Sequence, residues 1–475
     1  MIKHNYLDHL RDSIREKNNN IAFKRKKWVQ TNSYYYKQVL NTLNFIVEPN
    51  TSVLHLRCST GDILNGLQCS EKVGIDDSEN LIYEAKKEYS DIEFIHSSVE
   101  KFSLDRTFDY ILVTSVEDVV DIKAVLDCIY LHSTEQTRVI ILNYNYLWNP
   151  LVKLAEKTGM KIPQNLHNWI SEKDVNSFLE LSQFEKIINY RSILFPFNIP
   201  VLSWFLNKYL ARLPILRRLT MLNFTIARKE AFEPKEHSVS IIIPCRNEAG
   251  NIEDAVTRIP KFGSHIEILF GDDKSTDGTA DKVREMIAKY PDKDIKLYNG
   301  PGISKSENVW AGFDLAACDI VLILDADLTV IPEELPYFYE AITKRNGEFI
   351  NGSRLVYPMH NNAMKLFNII GNKFFSIAFS YILDRPIKDT LCGTKVMWRR
   401  DYQRIKKLRG TWGLTDRWGD YELIFSAAKL NLKIIDLPVH YYERVYGETK
   451  MTGRIQNGII MLKMCWAALN KIKFH

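Results

Sequence analysis

The stretch that decides the reading is DIVLILDADLT, Asp319 to Thr329. An apolar run of this length, bounded by polar residues, predicts a buried strand. It ends in two acids, Asp325 and Asp327, with only Ala326 between them. Alternate residues of a strand point the same way, so both carboxylates can meet one hard divalent cation, with diphosphate oxygens completing its octahedron. Taken alone, so short a pattern also fits a solvated acidic turn.

The neighbouring sequence repeats the design. VSIIIPCRNE (Val239 to Glu248), IEILFGDDKSTDGT (Ile266 to Thr279) and GEFINGSR (Gly347 to Arg354) each read as an apolar strand running into polar residues. Open α/β sheets bind ligands at such carboxyl ends. Asn247 and Glu248 stand at one end, and Asp272, Asp273 and Asp277 at the next. Three acid-bearing strand ends in series are hard to explain as turns.

Upstream lies a second strand–helix series. VLHL (Val53 to Leu56), KVGIDD (Lys72 to Asp77), FDYILVTSV (Phe108 to Val116) and RVIILNY (Arg138 to Tyr144) read as strands, and Ser78 begins a capped helix. Strands alternating with helices imply parallel pairing, so both halves are α/β. Between them, Phe195 to Ile226 reads as an amphipathic, partly helical connector, packed over the first sheet or touching a membrane surface. The charged ARKEAFEPKEHS that follows marks the boundary. The expected organisation is a domain over 1–228, a linker over 229–238 and a domain over 239–475.

Composition sets the outer limits. With 475 residues, 45% of them hydrophobic, the chain can build two or three cores, which excludes the disordered and collagen-like classes. A net charge of +5 is too small to argue for nucleic acid, and none is expected as a partner. Seven scattered cysteines form no CxxC pair, and the first residues carry charges where a signal peptide needs an apolar stretch. A cytoplasmic protein is the expectation, or one peripheral on the cytoplasmic face of the membrane.

From Val239 onward the chain resembles the family-two glycosyltransferases of the GT-A fold. The resemblance implies nucleotide contacts for Pro244, Asn247, Glu248 and Asp273, and Mg2+ or Mn2+ on Asp325 and Asp327. SKSENVWAGF (Ser304 to Phe313) is similar to a Lys-Gly-x5-Gly segment of that family, with Lys305 and Gly312 matching and Ser306 in place of a glycine. GSR (Gly352 to Arg354), DTLCGTKVMWRR (Asp389 to Arg400) and RWGDYELIFSAAKLNLKIIDLPVHYYER (Arg417 to Arg444) resemble the polyprenyl- and dolichyl-phosphate sugar transferases. That likeness implies an inverting transfer from a nucleotide-sugar donor, with Arg354 and Lys395 facing the lipid phosphate. Two cations there would let two anions approach each other. Asp420 is the candidate base for a hydroxyl acceptor, or a structural cap; a phosphate acceptor, already an anion, needs no base. Apolar runs from Met364 to Leu383 and over the last residues suit helices at a membrane surface or in the core.

The first half resembles class I S-adenosylmethionine-dependent methyltransferases, so the fold expected for the whole chain is a Rossmann-like methyltransferase domain followed by a GT-A glycosyltransferase domain. VLHLRCSTGDIL and VGIDDSENLIYEAKK carry the likeness, with Gly61 in the cofactor loop and Asp76 on the ribose. His55 stands where the family has an acid, and Arg57 and Ser59 stand where it has glycines. The whole chain is similar to bacterial bifunctional methyltransferase/glycosyltransferase proteins. The acceptor implied is a polyprenyl phosphate or a surface glycan. The alternative is a hydroxyl-acceptor glycosyltransferase with a non-catalytic N-terminal scaffold.

Overall fold

A computed structural model describes residues 2–162, 170–230, 235–356, 366–413, 416–444, 446 and 454–474. The chain divides into two compact units, Met1–Ala231 with Phe474–His475, and Phe232–Lys473.

In the first unit, helices Ile2–Thr31 and Ser33–Ile46 precede seven strands: β1 (Ser52–Leu56), β2 (Glu71–Asp76), β3 (Glu93–His96), β4 (Phe108–Val113), β5 (Ser133–Tyr144), β6 (Phe184–Ser192) and β7 (Leu222–Lys229). Their order is β3-β2-β1-β4-β5-β7-β6. β1 to β5 pair in parallel, and β7 lies antiparallel between β5 and β6. This is the Rossmann-like sheet expected, with its switch point between β1 and β4. Ser78 caps helix Glu79–Glu88 by accepting a hydrogen bond from the Leu81 amide.

The stretch from Phe195 to Ile226 is partly helical as expected, but its end is a strand of the sheet itself. Its end, Leu222 to Ile226, belongs to a buried central strand, and the part before it holds helix Leu202–Lys208 and two short 3-10 turns. The run LNFTIA mixes branched and aromatic residues, which suits a strand covered on both faces better than an amphipathic helix.

The second unit has seven more strands: β8 (Ser238–Cys245), β9 (His265–Asp272), β10 (Asp294–Asn299), β11 (Ile320–Ile323), β12 (Phe349–Ser353), β13 (Lys395–Trp398) and β14 (Ile434–Pro438), in the order β10-β9-β8-β11-β13-β12-β14. Only β13 runs antiparallel to its neighbours. The carboxyl ends of β8, β9, β11 and β12 therefore share one edge, and β13 brings its first residue, Lys395, to that same edge. A core of Ile241, Ile243, Phe270, Leu322, Phe338 and Val396, among others, fixes the sheet behind it. Among the described residues, no helix is long and apolar enough to cross a membrane. Lys365 and the start of the run from Met364 lie outside the described residues.

Candidate functional site

The edge of the second sheet gathers most of the residues singled out in that half. β11 ends at Ile323, so Asp325 and Asp327 are not alternate residues of a strand, as their spacing suggests. A turn closed by the Leu328 amide on the Asp325 carbonyl brings them together instead, with Leu328 in the left-handed region. Lys305, at the start of helix Lys305–Leu315, lies 2.5 Å from Asp325. Arg444 lies 2.5 Å from Asp327 and 3.9 Å from Glu248. Burial raises the Asp325 carboxyl, but Lys305, and then Lys395 and Arg354, hold it below the usual carboxylate range. Burial would lower the Lys305 ammonium, yet Asp325, Asp420 and Asp327 raise it. One electrostatic cluster thus joins the acid pair to both lysines.

Lys395 has no exposed side-chain surface; it bonds Asp420 at 2.5 Å and the Cys392 carbonyl. Burial pushes the Asp420 carboxyl up, and Lys395 and Lys305 pull it back only in part. Asp420 is not the cap of helix Asp420–Lys429. The N-cap position is Gly419, and Asp416 accepts from the first-turn amides of Tyr421 at 2.8 Å and Glu422 at 3.0 Å. Arg354 forms a two-pronged pair with Asp389 at 2.7 and 2.9 Å and lies over the Tyr441 ring. Asp389 is fully buried and also accepts from Asn372 and the Leu391 amide, and Arg354 holds it well below the usual range. Arg354 and Lys395, the two residues expected to face the lipid phosphate, thus each have a buried carboxylate as partner.

The ends of β8 and β9 are built as a single loop system. Pro244 lies in β8 opposite Gly271. Asn247, at φ 54°, accepts from the Thr276 amide at 2.8 Å. Glu248 is buried and accepts from Asn251. Asp273 is buried and accepts from the Gly302 amide at 2.6 Å. Asp277 has a local task, holding the amides of Ala249 and Thr279.

A hard cation fits this edge. A Cβ on Gly393 would stand 2.2 Å from Asp325 Oδ2, so the glycine of the CG pair keeps space open against the acid. Among the described residues no group of three or more His, Cys, Asp or Glu could hold a metal. Two carboxylates with the remaining positions left to phosphate and water is the donor set expected for Mg2+ or Mn2+ on a diphosphate.

In the first unit, the ends of β1, β2, β4 and β5 border a cavity of about 390 Å3, whose wall includes Arg57, Ser59, Asp76, Asp118, Glu117 and Tyr144. Asp76 accepts from the amides of Ser59 at 2.9 Å and Ser78 at 3.0 Å. Burial pushes its carboxyl up to about 6 against the pull of Arg57. Gly61 has φ 79°, and a Cβ there would meet the Phe94 ring at 2.5 Å. Arg57 and Ser59 hold φ values of 59° and 52°, the left-handed region that glycines usually supply. The Arg57 side chain is buried, 3.3 Å from Asp118 and 3.8 Å from Asp77. His55 is buried on Thr114 and neutral, burial lowering it to about 3. A cavity of this size, with an acid at the end of β2, fits a nucleoside-bearing cofactor such as S-adenosylmethionine.

Residues 240–427 match the model of glycosyl transferase family 2. The second unit carries a family 2 domain. Among curated proteins, a dolichol-phosphate mannosyltransferase of Pyrococcus furiosus is 40% identical over 25% of this chain and 33% of its own length. The chain thus spans about a third of that relative. An undecaprenyl-phosphate mannosyltransferase of Micrococcus luteus is 27% identical over 48% of this chain and 93% of its own length. Among solved structures, an S-adenosylmethionine-dependent methyltransferase from Clostridium acetobutylicum aligns with 42% of this chain and 92% of its own, at 14% identity and a TM-score of 0.29.

Two residues of the second unit escape sequence reasoning. Arg444 reaches Asp327 across 117 positions, and its only signal is a basic residue in HYYER, a segment tied to the metal-motif loop by the Tyr442 amide on the Thr329 carbonyl. Asp416 has a signal that was readable, an acid shortly before a helix start.

Proposed function

We propose that the family 2 domain transfers a sugar from a nucleoside diphosphate donor to a polyprenyl phosphate or a surface-glycan acceptor, with inversion at the anomeric carbon. The supporting observation is the cluster of Asp325, Asp327, Lys305, Lys395 and Asp420 at one sheet edge. Asp325 and Asp327 would hold a divalent cation, which when bound neutralises the diphosphate as it leaves. Lys305 and Arg444, now paired with those acids, are the cations nearest to a diphosphate at this edge. Pro244, Asn247, Glu248 and Asp273 would line the nucleoside end. Asp420 holds the Lys395 ammonium and Asp389 the Arg354 guanidinium, so each cation is fixed in place with its charge largely offset by its partner. A phosphate acceptor needs no proton removed, so Asp420 then acts by holding Lys395.

A lipid-linked acceptor accords with two helices of this domain. Helix Leu366–Leu383 exposes Ile370, Phe374 and Ile377, and helix Arg454–Ala468 exposes Ile459, Leu462 and Trp466. Each set follows helical spacing, so each helix is apolar on its outer as well as its packed face. Peripheral contact with the cytoplasmic face of a membrane is the corresponding location. The second reading is a hydroxyl acceptor, favoured by the raised Asp420 carboxyl, a suitable base.

For the first unit we infer binding of S-adenosylmethionine and methyl transfer, with Asp76 on the ribose and the loop from Arg57 to Gly61 following the cofactor. A non-catalytic scaffold is its alternative. We assign the two activities to residues 1–228 and 239–475, joined by 229–238. The test is a screen of nucleoside diphosphate sugars with Mn2+ or Mg2+, read as thermal stabilisation and metal-dependent hydrolysis. A response to one donor that Asp325→Asn abolishes supports the transferase reading, and silence with every donor overturns it. Calorimetry with S-adenosylmethionine tests the first unit separately, and no binding at millimolar ligand removes the methyltransferase.

A further inference from the structure

Helix Leu202–Lys208 is built inside out. Its buried residues are polar, Ser203 and Asn207, four apart on one face. Asn207 is fully engaged: Oδ1 accepts from the Leu194 and Phe195 amides, each at 2.8 Å, while Nδ2 donates to the Phe195 carbonyl at 2.7 Å and to the Tyr34 hydroxyl at 2.9 Å. Ser203 donates to the Phe197 carbonyl at 2.6 Å and accepts from the Ile199 amide at 2.8 Å. Away from that polar face Trp204 and Phe205 are 53% and 46% exposed, and Val201, which precedes the helix at φ 65°, is 75% exposed. Downstream, Ile215 is 80% exposed. A helix in water turns its apolar stripe to the core. Here the polar anchors have locked the opposite face outward.

The patch extends to a second segment. Asn145 donates to the carbonyls of Arg218 at 2.8 Å and Thr220 at 2.9 Å, and the Trp148 indole donates to the Leu219 carbonyl at 2.7 Å. Helix Asn149–Lys157, fixed by these bonds, exposes Leu151 and Leu154. From Phe195 to Leu219 the sequence has four basic residues, Lys208, Arg212, Arg217 and Arg218, and no acid. An apolar surface with an aromatic residue at its rim and an excess of basic groups is complementary to anionic lipid. It suits a second copy of the chain poorly, because a two-fold contact would set these basic groups against their own counterparts.

We propose that the first unit docks on an anionic bilayer through residues 197–219 and helix Asn149–Lys157. This surface belongs to the first unit, and the proposal does not depend on the sugar-transfer reading. Leu151, Leu154 and Phe197 belong to it and to the cavity wall alike, so a docked bilayer lies at the edge of the cavity.

The test uses the full chain and vesicles of phosphatidylcholine, with or without phosphatidylglycerol. The triple variant Val201→Asp, Trp204→Asp, Ile215→Asp should weaken binding to the mixed vesicles about tenfold or more. The variant should stay folded and keep its nucleotide-sugar response, because the substituted side chains are largely exposed. Brominated lipid should quench wild-type fluorescence more than that of Trp204→Phe, and the difference isolates this surface from the other helices. Equal vesicle binding by wild type and triple variant, with no quenching difference, overturns the proposal. So does a shift in lipid-free oligomeric state on substitution without loss of lipid binding, which would make the patch an interface between copies.

Discussion

At the edge of the second unit, the groups that would meet a diphosphate are side chains: Asp325, Asp327, Lys305 and Lys395. At the edge of the first unit, the groups that would follow a nucleoside cofactor are largely backbone, carried through the left-handed region at Arg57 and Ser59, with Asp76 the acid that ends β2. A side-chain site announces itself in residue identity. A backbone site announces itself through glycine, and loses its signature when another residue takes up the same φ. Both edges occupy equivalent places, the carboxyl ends beside a switch in strand order, so the difference lies in how the ligand is met rather than where.

The sharpest way to break the side-chain half of this comparison is to remove Lys395. Its loss leaves Asp420 buried without a counter-charge, so Lys395→Met should destabilise the second unit by about 3–5 kcal/mol in denaturant unfolding. The double variant Lys395→Met, Asp420→Leu should recover most of that loss while remaining inactive. Recovery of sugar transfer in the double variant would show that the pair serves stability alone.

Next in size is the acid pair. Asp325→Asn or Asp327→Asn should lower metal-dependent sugar transfer about 100- to 1000-fold, the usual effect of removing one electrostatic stabiliser of a leaving group. Gly393→Ala should act in the same direction, since its new methyl would meet Asp325. If all three variants keep their rates with the metal response intact, the cation binds elsewhere.

In the first unit the expected effects are smaller. Asp76 has its carboxyl raised to about 6. Pairing with ribose hydroxyls needs the ionised form, so affinity for S-adenosylhomocysteine should be about tenfold weaker at pH 5 than at pH 7 and level above that. The stability sign is the reverse. The folded form holds this proton more tightly than the unfolded chain, so Asp76 costs stability above pH 6 and that cost fades as pH falls toward 4. Calorimetric titration across this range checks the first statement. A flat affinity would take Asp76 out of the cofactor site.

Much of this was legible because strand ends carry their chemistry in the sequence. The runs ending at Asp76, Cys245, Asp272 and Ser353 read as strands from their apolar character alone, and the polar residues that follow them reach the edges described. Other features were hidden for identifiable reasons. β13 is four residues long and antiparallel, so KVMW has neither the length nor the alternation of a strand signal. β7 read as part of a helix-like connector because it pairs antiparallel between β5 and β6, an insertion that no local pattern specifies. The partners of Arg354, Lys395 and Arg444 are long-range ion pairs, which no local pattern specifies. Asp325 and Asp327 share a turn rather than alternate positions of a strand, which their spacing alone does not distinguish.

The smallest effect tests the backbone half most directly. Ser59 holds φ 52°, and its amide donates to Asp76, so the loop conformation and the strand-end acid are coupled through one hydrogen bond. A non-glycine residue in this region costs about 1–2 kcal/mol, and glycine returns part of that as extra freedom in the unfolded chain. Ser59→Gly should therefore raise the stability of the first unit by up to about 1 kcal/mol and leave S-adenosylhomocysteine affinity unchanged, because the amide and its path are retained. Ser59→Val tests the opposite limb: a β-branched residue resists the left-handed region, so it should lose stability and cofactor affinity together. If valine is tolerated on both counts, the loop does not depend on this conformation, and the contrast between a side-chain edge and a backbone edge fails at its weaker end.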